Sequence, residues 1–300
     1  MDTQNDIYKI VNVDLICVII VSIFALYAMG DFVGQFINLH FSHWIVLNIY
    51  QSFSLMGVPL LLMLSGALLL APSKKDEDIT IFLKKCFTRL SFPLVFWTIV
   101  YFIWAFYIEN NPFTLSFIIS SILEGPYFVL WYLYMLVGLY LVTPMLRVMV
   151  AHFTDRLFKC FLCLWFIGAT IPSLIVLFSN GQYHLSVNVF IMPFYVGYFV
   201  AGVYLVNVNV RRWVLGVLTF LGFILTVITA IVMAIFCAEN SDVSFYQWYF
   251  SPFVILASFS FFMLLNSYAK PKVVVQTQKP SWKQRLIHTI SKVLQRFMGI

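Results

Sequence analysis

Apolar residues in this chain gather in long runs separated by short polar segments. The runs cover residues 15–30, 53–71, 90–108, 127–146, 160–179, 189–206, 213–237 and 246–268. A bilayer's hydrocarbon core, about 30 Å thick, takes about 20 such residues as a helix whose backbone polar groups are all satisfied internally. The pattern therefore predicts an all-α polytopic membrane protein with about eight transmembrane helices.

The intervening segments complete the reading. Residues 1–14, MDTQNDIYKIVNVD, are polar and lack the basic start of a cleaved signal peptide. Residues 31–51 read as an aromatic, half-polar loop along the interface. Residues 114–125, TLSFIISSILEG, are too short to span and are expected to lie flat on the outer surface. Pro59, Pro93, Pro144, Pro193 and Pro252 fall near expected helix ends, where a missing N–H costs least, and Pro172 falls deeper. The expected organisation is a transmembrane domain over 1–268 and a basic cytoplasmic tail over 269–300. The tail's SWKQRLIHTISKVLQRF fits an amphipathic helix on the inner leaflet, bound to anionic lipid.

Composition sharpens this. At 62% hydrophobic and 10% charged residues, with a mean hydropathy of +0.94, too few polar residues exist to cover a water-facing surface. A soluble domain is excluded, and the bilayer is the expected partner. Cys17, Cys86, Cys160, Cys163 and Cys237 fall in or beside the apolar runs and suggest no disulfide framework. Cys160 and Cys163 form a C-x-x-C pair with no second pair or His at ligand spacing, so core packing is expected there and no metal.

Charge then orients the helices. If eight helices alternate and the 72–89 loop is cytoplasmic, all 18 Lys and Arg fall on the cytoplasmic side, while the opposite loops carry Asp31, Glu109, Glu124, Glu239 and Asp242. Both termini are then cytoplasmic. The net charge of +6 reflects this orientation rather than nucleic-acid binding.

Two kinds of residue stand out against that background. Ser65 and Gly66, in VPLLLMLSGALLL, are small residues deep in a helix, where they let two backbones approach. Arg89, in FLKKCFTRLSFPLVFW, stands at the inner interface just before a helix opened by Pro93. Two roles are open to it: a positive-inside anchor, or a planar fork on a phosphate or carboxylate.

These two segments, followed in order by GPYFVLWYLYMLVGLYLVTPMLR, MPFYVGYFVAGVYLV and FYQWYFSPFVILASFSFFMLL, resemble the acyltransferase-3 family of membrane-bound acyltransferases over nearly the whole chain. The resemblance implies transfer of an acyl group, usually acetyl, from a cytoplasmic acyl-CoA to a hydroxyl of a surface polysaccharide or lipid-linked glycan at a bacterial inner membrane. It implies Lys84, Lys85 and Arg89 as candidate contacts for the anionic acyl-CoA, and Arg147 either as a further contact for that anion or as an anchor of its helix. Trp131 and Tyr132 are then candidates to line an acyl or glycan channel, with plain aromatic packing as the alternative. No bound cofactor is implied beyond the acyl-CoA donor.

The chain departs from the family in two places. The family's first helix begins Asp-x-x-Arg and ends in a His that serves as general base or acyl relay. Here Asp14 is present, but Cys17 and Ala28 stand at the Arg and His positions. General-base help on a sugar hydroxyl is worth roughly 10²–10⁴ in rate, and no other expected span carries a His, Asp, Glu or Lys. His40, His43 and His184 lie in outer loops. The family also continues into two further helices, whereas this chain ends HTISKVLQRFMGI, as if at the opening of a ninth. The expectation is an acyltransferase, degenerate in this copy. Two alternatives are a transporter of a lipid-linked saccharide, which calls for inverted repeats, and a non-catalytic partner in polysaccharide assembly.

Overall fold

The computed structural model describes residues 19–20, 22–23, 41–71, 77–107, 114, 131–178, 191–236 and 249–269. Among them the extended elements are helices: α1 (Phe41–Ser54), α2 (Gly57–Leu69), α3 (Ile79–Tyr107), α4 (Trp131–Ala151), α5 (Asp155–Phe178), α6 (Ile191–Asn207), α7 (Arg212–Phe236) and α8 (Pro252–Ala269). Four stretches within the described residues are long and apolar enough to cross a membrane: Ile45–Leu69, Ile79–Trp104, Tyr132–Ala151 and Arg212–Val232. Phe194–Asn207 and Pro252–Tyr268 are shorter apolar helices. The first expected span is helical where described, and Ile20 and Ile23 are buried in the core.

The bundle is organised on α2 and α6. A Cβ on Gly66 would collide with the backbone of Phe199, and one on Gly202 with the backbone of Met63. Each helix thus presents a glycine to the other's main chain, the close approach that the Ser65-Gly66 pair suggests. α8 lies against α7, where a Cβ on Gly222 would sit 2.8 Å from Ala257 N. α5 reaches the centre through Trp165, whose ring lies on Gly197 and whose Nε1 donates to Phe194 O at 2.6 Å. Tyr198 donates to Tyr249 O. Such bonds matter more here than in water, since no solvent competes for the groups involved.

One end of the bundle collects the described basic residues together with the polar ties between helices. Asn266 Nδ2 donates to Val206 O at 2.9 Å, Arg212 Nη2 to Ser267 O at 2.7 Å, and Tyr204 Oη to Asp155 Oδ1 at 3.1 Å. Arg212 also stacks its guanidinium 4.6 Å from the Tyr268 ring centre.

Several expectations are corrected. Residues 41–51 are helix rather than interfacial loop: α1 turns through Leu55 and Met56 into α2, with Leu60 N donating to Met56 O. Within α1, Ser52 Oγ donates to Asn48 Oδ1 and Ser54 Oγ to Gln51 O. α3 starts at Ile79, not near residue 90, so Pro93 sits inside it, as Pro144 sits inside α4. Membrane helices tolerate such prolines because the freed carbonyl finds other partners. Cys86 is buried, but Cys160 and Cys163 are exposed on α5 rather than packed in the core. Lipid is as apolar as the core, so a small apolar side chain suits either face. Residues 115–125, the tail beyond Ala269, Cys17, Ala28, His40 and His184 lie outside the described residues. His43 belongs to α1, and its side chain is likewise outside them.

Candidate functional site: a buried arginine at the basic end

Asp78 sets the site by starting α3. Its Oδ1 accepts from Ile81 N at 3.0 Å and its carbonyl from Phe82 N at 2.9 Å, which caps the first turn. From that start Phe82, Cys86 and Leu90 form a buried stripe at helical spacing, while Lys84, Lys85 and Arg89 fall on the exposed side.

Arg147 arrives from α4, one turn before Ala151. It is 3% exposed. Its Nε donates to Leu69 O at 2.7 Å, at the carbonyl end of α2, where the helix dipole favours a cation. Its Nη1 lies 3.1 Å from Glu77 Oε2, and its guanidinium carbon sits 4.1 Å over the Phe82 ring centre. Glu77 Oε1 is 3.3 Å from Lys85 Nζ, so one carboxylate bridges two cations. Arg147 Nη2 is buried with no hydrogen-bond partner among the described residues. A guanidinium has five N–H donors, and leaving buried ones unmet is costly.

Burial pushes the Glu77 carboxyl up. The hydrogen bonds and charges of Lys85 and Arg147 outweigh it, and the group lies below the ordinary carboxylate range. Lys84 and Arg89 form no ion pair among the described residues, and the cluster keeps an excess of positive charge.

The residues named from sequence thus divide. Lys85 and Arg147 come together through Glu77, while Lys84 and Arg89 are each exposed on the first turns of α3, about 140° apart around its axis. Arg147 had been expected in a loop past a helix ending at 146; it is instead an interior residue of α4. Trp131 opens α4, with its side chain outside the described residues. Tyr132 is buried in the hydrophobic core at the other end of α4, about 22 Å along the axis from Arg147.

Sequence reasoning missed Glu77 and Phe82. Glu77 stands among three acids in DED, with nothing to say which one meets an arginine 70 positions later. The burial of Arg147 had a signal: the apolar VMVA that follows it continues the helix. Among the described residues no three of His, Cys, Asp and Glu gather as a metal site.

A family model described as an acyltransferase domain, that of the acyltransferase-3 family, matches residues 15–275. No curated protein and no solved structure matches the chain.

Proposed function

Because the chain belongs to the acyltransferase-3 family and is built of apolar helices, it is a membrane acyltransferase in general terms, and we propose that it moves an acetyl group from acetyl-CoA to a hydroxyl of a cell-surface carbohydrate. In that reaction the hydroxyl oxygen forms an ester bond to the thioester carbonyl. The C–S bond breaks, and CoA leaves as the thiol carrying the hydroxyl's proton. The observation that carries the reading is the Arg147 guanidinium, buried at the basic end with Nη2 unmet and Lys85 alongside. A planar fork in a dry setting suits the diphosphate of CoA, and Lys84 and Arg89 extend the positive surface outward.

The proposed setting is a bacterial inner membrane crossed eight times, with both termini and the basic end in the cytoplasm. The distribution of all 18 Lys and Arg supports it. That side is where CoA resides.

A second reading, a non-catalytic partner in polysaccharide assembly, is favoured by one observation: Cys17 and Ala28 stand where the family has Arg and His. One experiment separates the two. Purified protein given acetyl-CoA releases free CoA when glycan is added, and Cys17→Arg with Ala28→His raises that rate. Flat traces from both versions discard catalysis and leave the partner reading.

A further inference from the structure

We infer that Glu77 is an internal stand-in for the ligand's phosphate: it occupies Arg147 and Lys85 while the site is empty, and a diphosphate-bearing ligand binds by displacing it. The inference rests on the donor-site reading above and adds to it a competing group carried by the chain itself.

Three features of the site argue for this. The first is the incomplete fit. Glu77 gives Arg147 a single contact, through Oε2 to Nη1, and spends its other oxygen on Lys85. The guanidinium is therefore held at one edge with Nη2 unserved. A diphosphate brings more oxygens and more charge, enough to serve Nη1, Nη2 and Lys85 together.

The second is access. Arg147 is 3% exposed but Glu77 is 26% exposed, so Glu77 is the more accessible member of the pair. It stands on the bend just ahead of Asp78, outside α3, and its departure breaks no helical hydrogen bond. Arg147 keeps its separate tie to Leu69 O meanwhile.

The third is charge balance. A buried guanidinium is better tolerated beside a counter-ion, so an anion site that is not carrying its ligand gains from a resident anion. Glu77 fills that role, and the cost is affinity: an incoming ligand binds only the fraction of molecules in which Glu77 has let go. Among the described residues the charged groups facing Glu77 are Lys85 from α3 and Arg147 from α4, and both are released to the ligand together.

Coenzyme A and inorganic diphosphate are the two probes, titrated separately into the full chain in neutral detergent. Glu77→Gln keeps an acceptor for Arg147 but loses the charge, and it is expected to tighten both probes about tenfold. Asp78→Asn removes a neighbouring charge while leaving an N-cap and the Glu77 contacts, and it is expected to change affinity by less than about twofold. Glu77→Asp, one methylene shorter and unable to bridge both cations, is expected to tighten binding about threefold. It serves if the Gln variant does not fold. Equal or weaker coenzyme A binding in the Glu77 variants, or equal tightening by Asp78→Asn, overturns displacement and leaves the donor site standing. Diphosphate tightening in the Glu77 variants without any coenzyme A binding supports displacement and overturns the donor-site reading. Failure of every variant to bind either probe overturns both.

Discussion

Two of the membrane-length helices make opposite use of apolar sequence. Within the Ile45–Leu69 span an apolar 18-residue stretch is 89% buried inside the bundle, against 18% for the corresponding stretch of Ile79–Trp104. Hydropathy does not foretell this. Arg212–Val232 is the most apolar of the four spans and is also mostly at the surface. What separates α2 from α3 is the small residue. Gly66 faces the Phe199 backbone and Gly202 the Met63 backbone, whereas α3 turns Phe92, Val95, Ile99 and Ile103 outward. Lipid and protein interior are equally apolar, so nothing in hydropathy draws a helix inward; close backbone packing does.

The comparison breaks most sharply at the central glycines. Gly66→Ala and Gly202→Ala each drive a Cβ into main-chain atoms that no rotamer change can move. Each is expected to cost about 3 kcal/mol or more, at or beyond the upper end of ordinary overpacking. Unfolding in a denaturing-detergent titration measures it. A loss below about 1 kcal/mol would mean that α2 and α6 do not meet as described.

Next in size is the tie between centre and periphery. Arg147 on α4 joins the end of α2 at Leu69 O to the approach to α3 at Glu77. Arg147→Met removes a charge-assisted bond from a buried carbonyl and is expected to cost about 2 kcal/mol in the same titration. Arg147→Lys is expected to recover less than half of that, because an ammonium cannot serve both partners from one plane.

Most spans were legible because each apolar run ends in polar residues. The α6 run was read as 189–206 and the helix is Ile191–Asn207. α3 was misread at its start because Lys84, Lys85 and Arg89 lie within its first three turns, and charge beside a membrane resembles a loop. Asp78, a capping residue ahead of ITIFL, was the available signal. The site was half legible. Lys85 and Arg147 follow from the positive-inside pattern and the family resemblance, but their union through Glu77 depends on tertiary geometry that no local pattern encodes.

A smaller effect follows from acidity. Glu77 lies below the ordinary carboxylate range in the folded protein, so its ion pairs contribute stability above its unfolded value near 4.5. That contribution is lost as pH falls through the folded value. The stability difference between wild type and Glu77→Gln is expected to be larger at pH 7 than at a pH below that folded value, by under about 1 kcal/mol given the partial exposure of the group. A difference that does not change with pH would show that Glu77 acts by shape alone.

The smallest expected effect completes the contrast, because it uses the same substitution on the outer surface. Gly168 on α5 and Gly216 on α7 have nothing within 4 Å of an added Cβ. Gly168→Ala and Gly216→Ala therefore meet no neighbour and gain intrinsic helix preference, for which Ala exceeds Gly by about 1 kcal/mol in water. Inside a bilayer the helix is already enforced by the need to satisfy its backbone, so the gain shrinks, and a change within about 0.5 kcal/mol of zero is expected. If either change destabilised the protein as much as Gly66→Ala, the outer faces of α5 and α7 would have to be covered by another protein surface rather than lipid. The division into a glycine-packed centre and a lipid-facing rim would then fail at those helices.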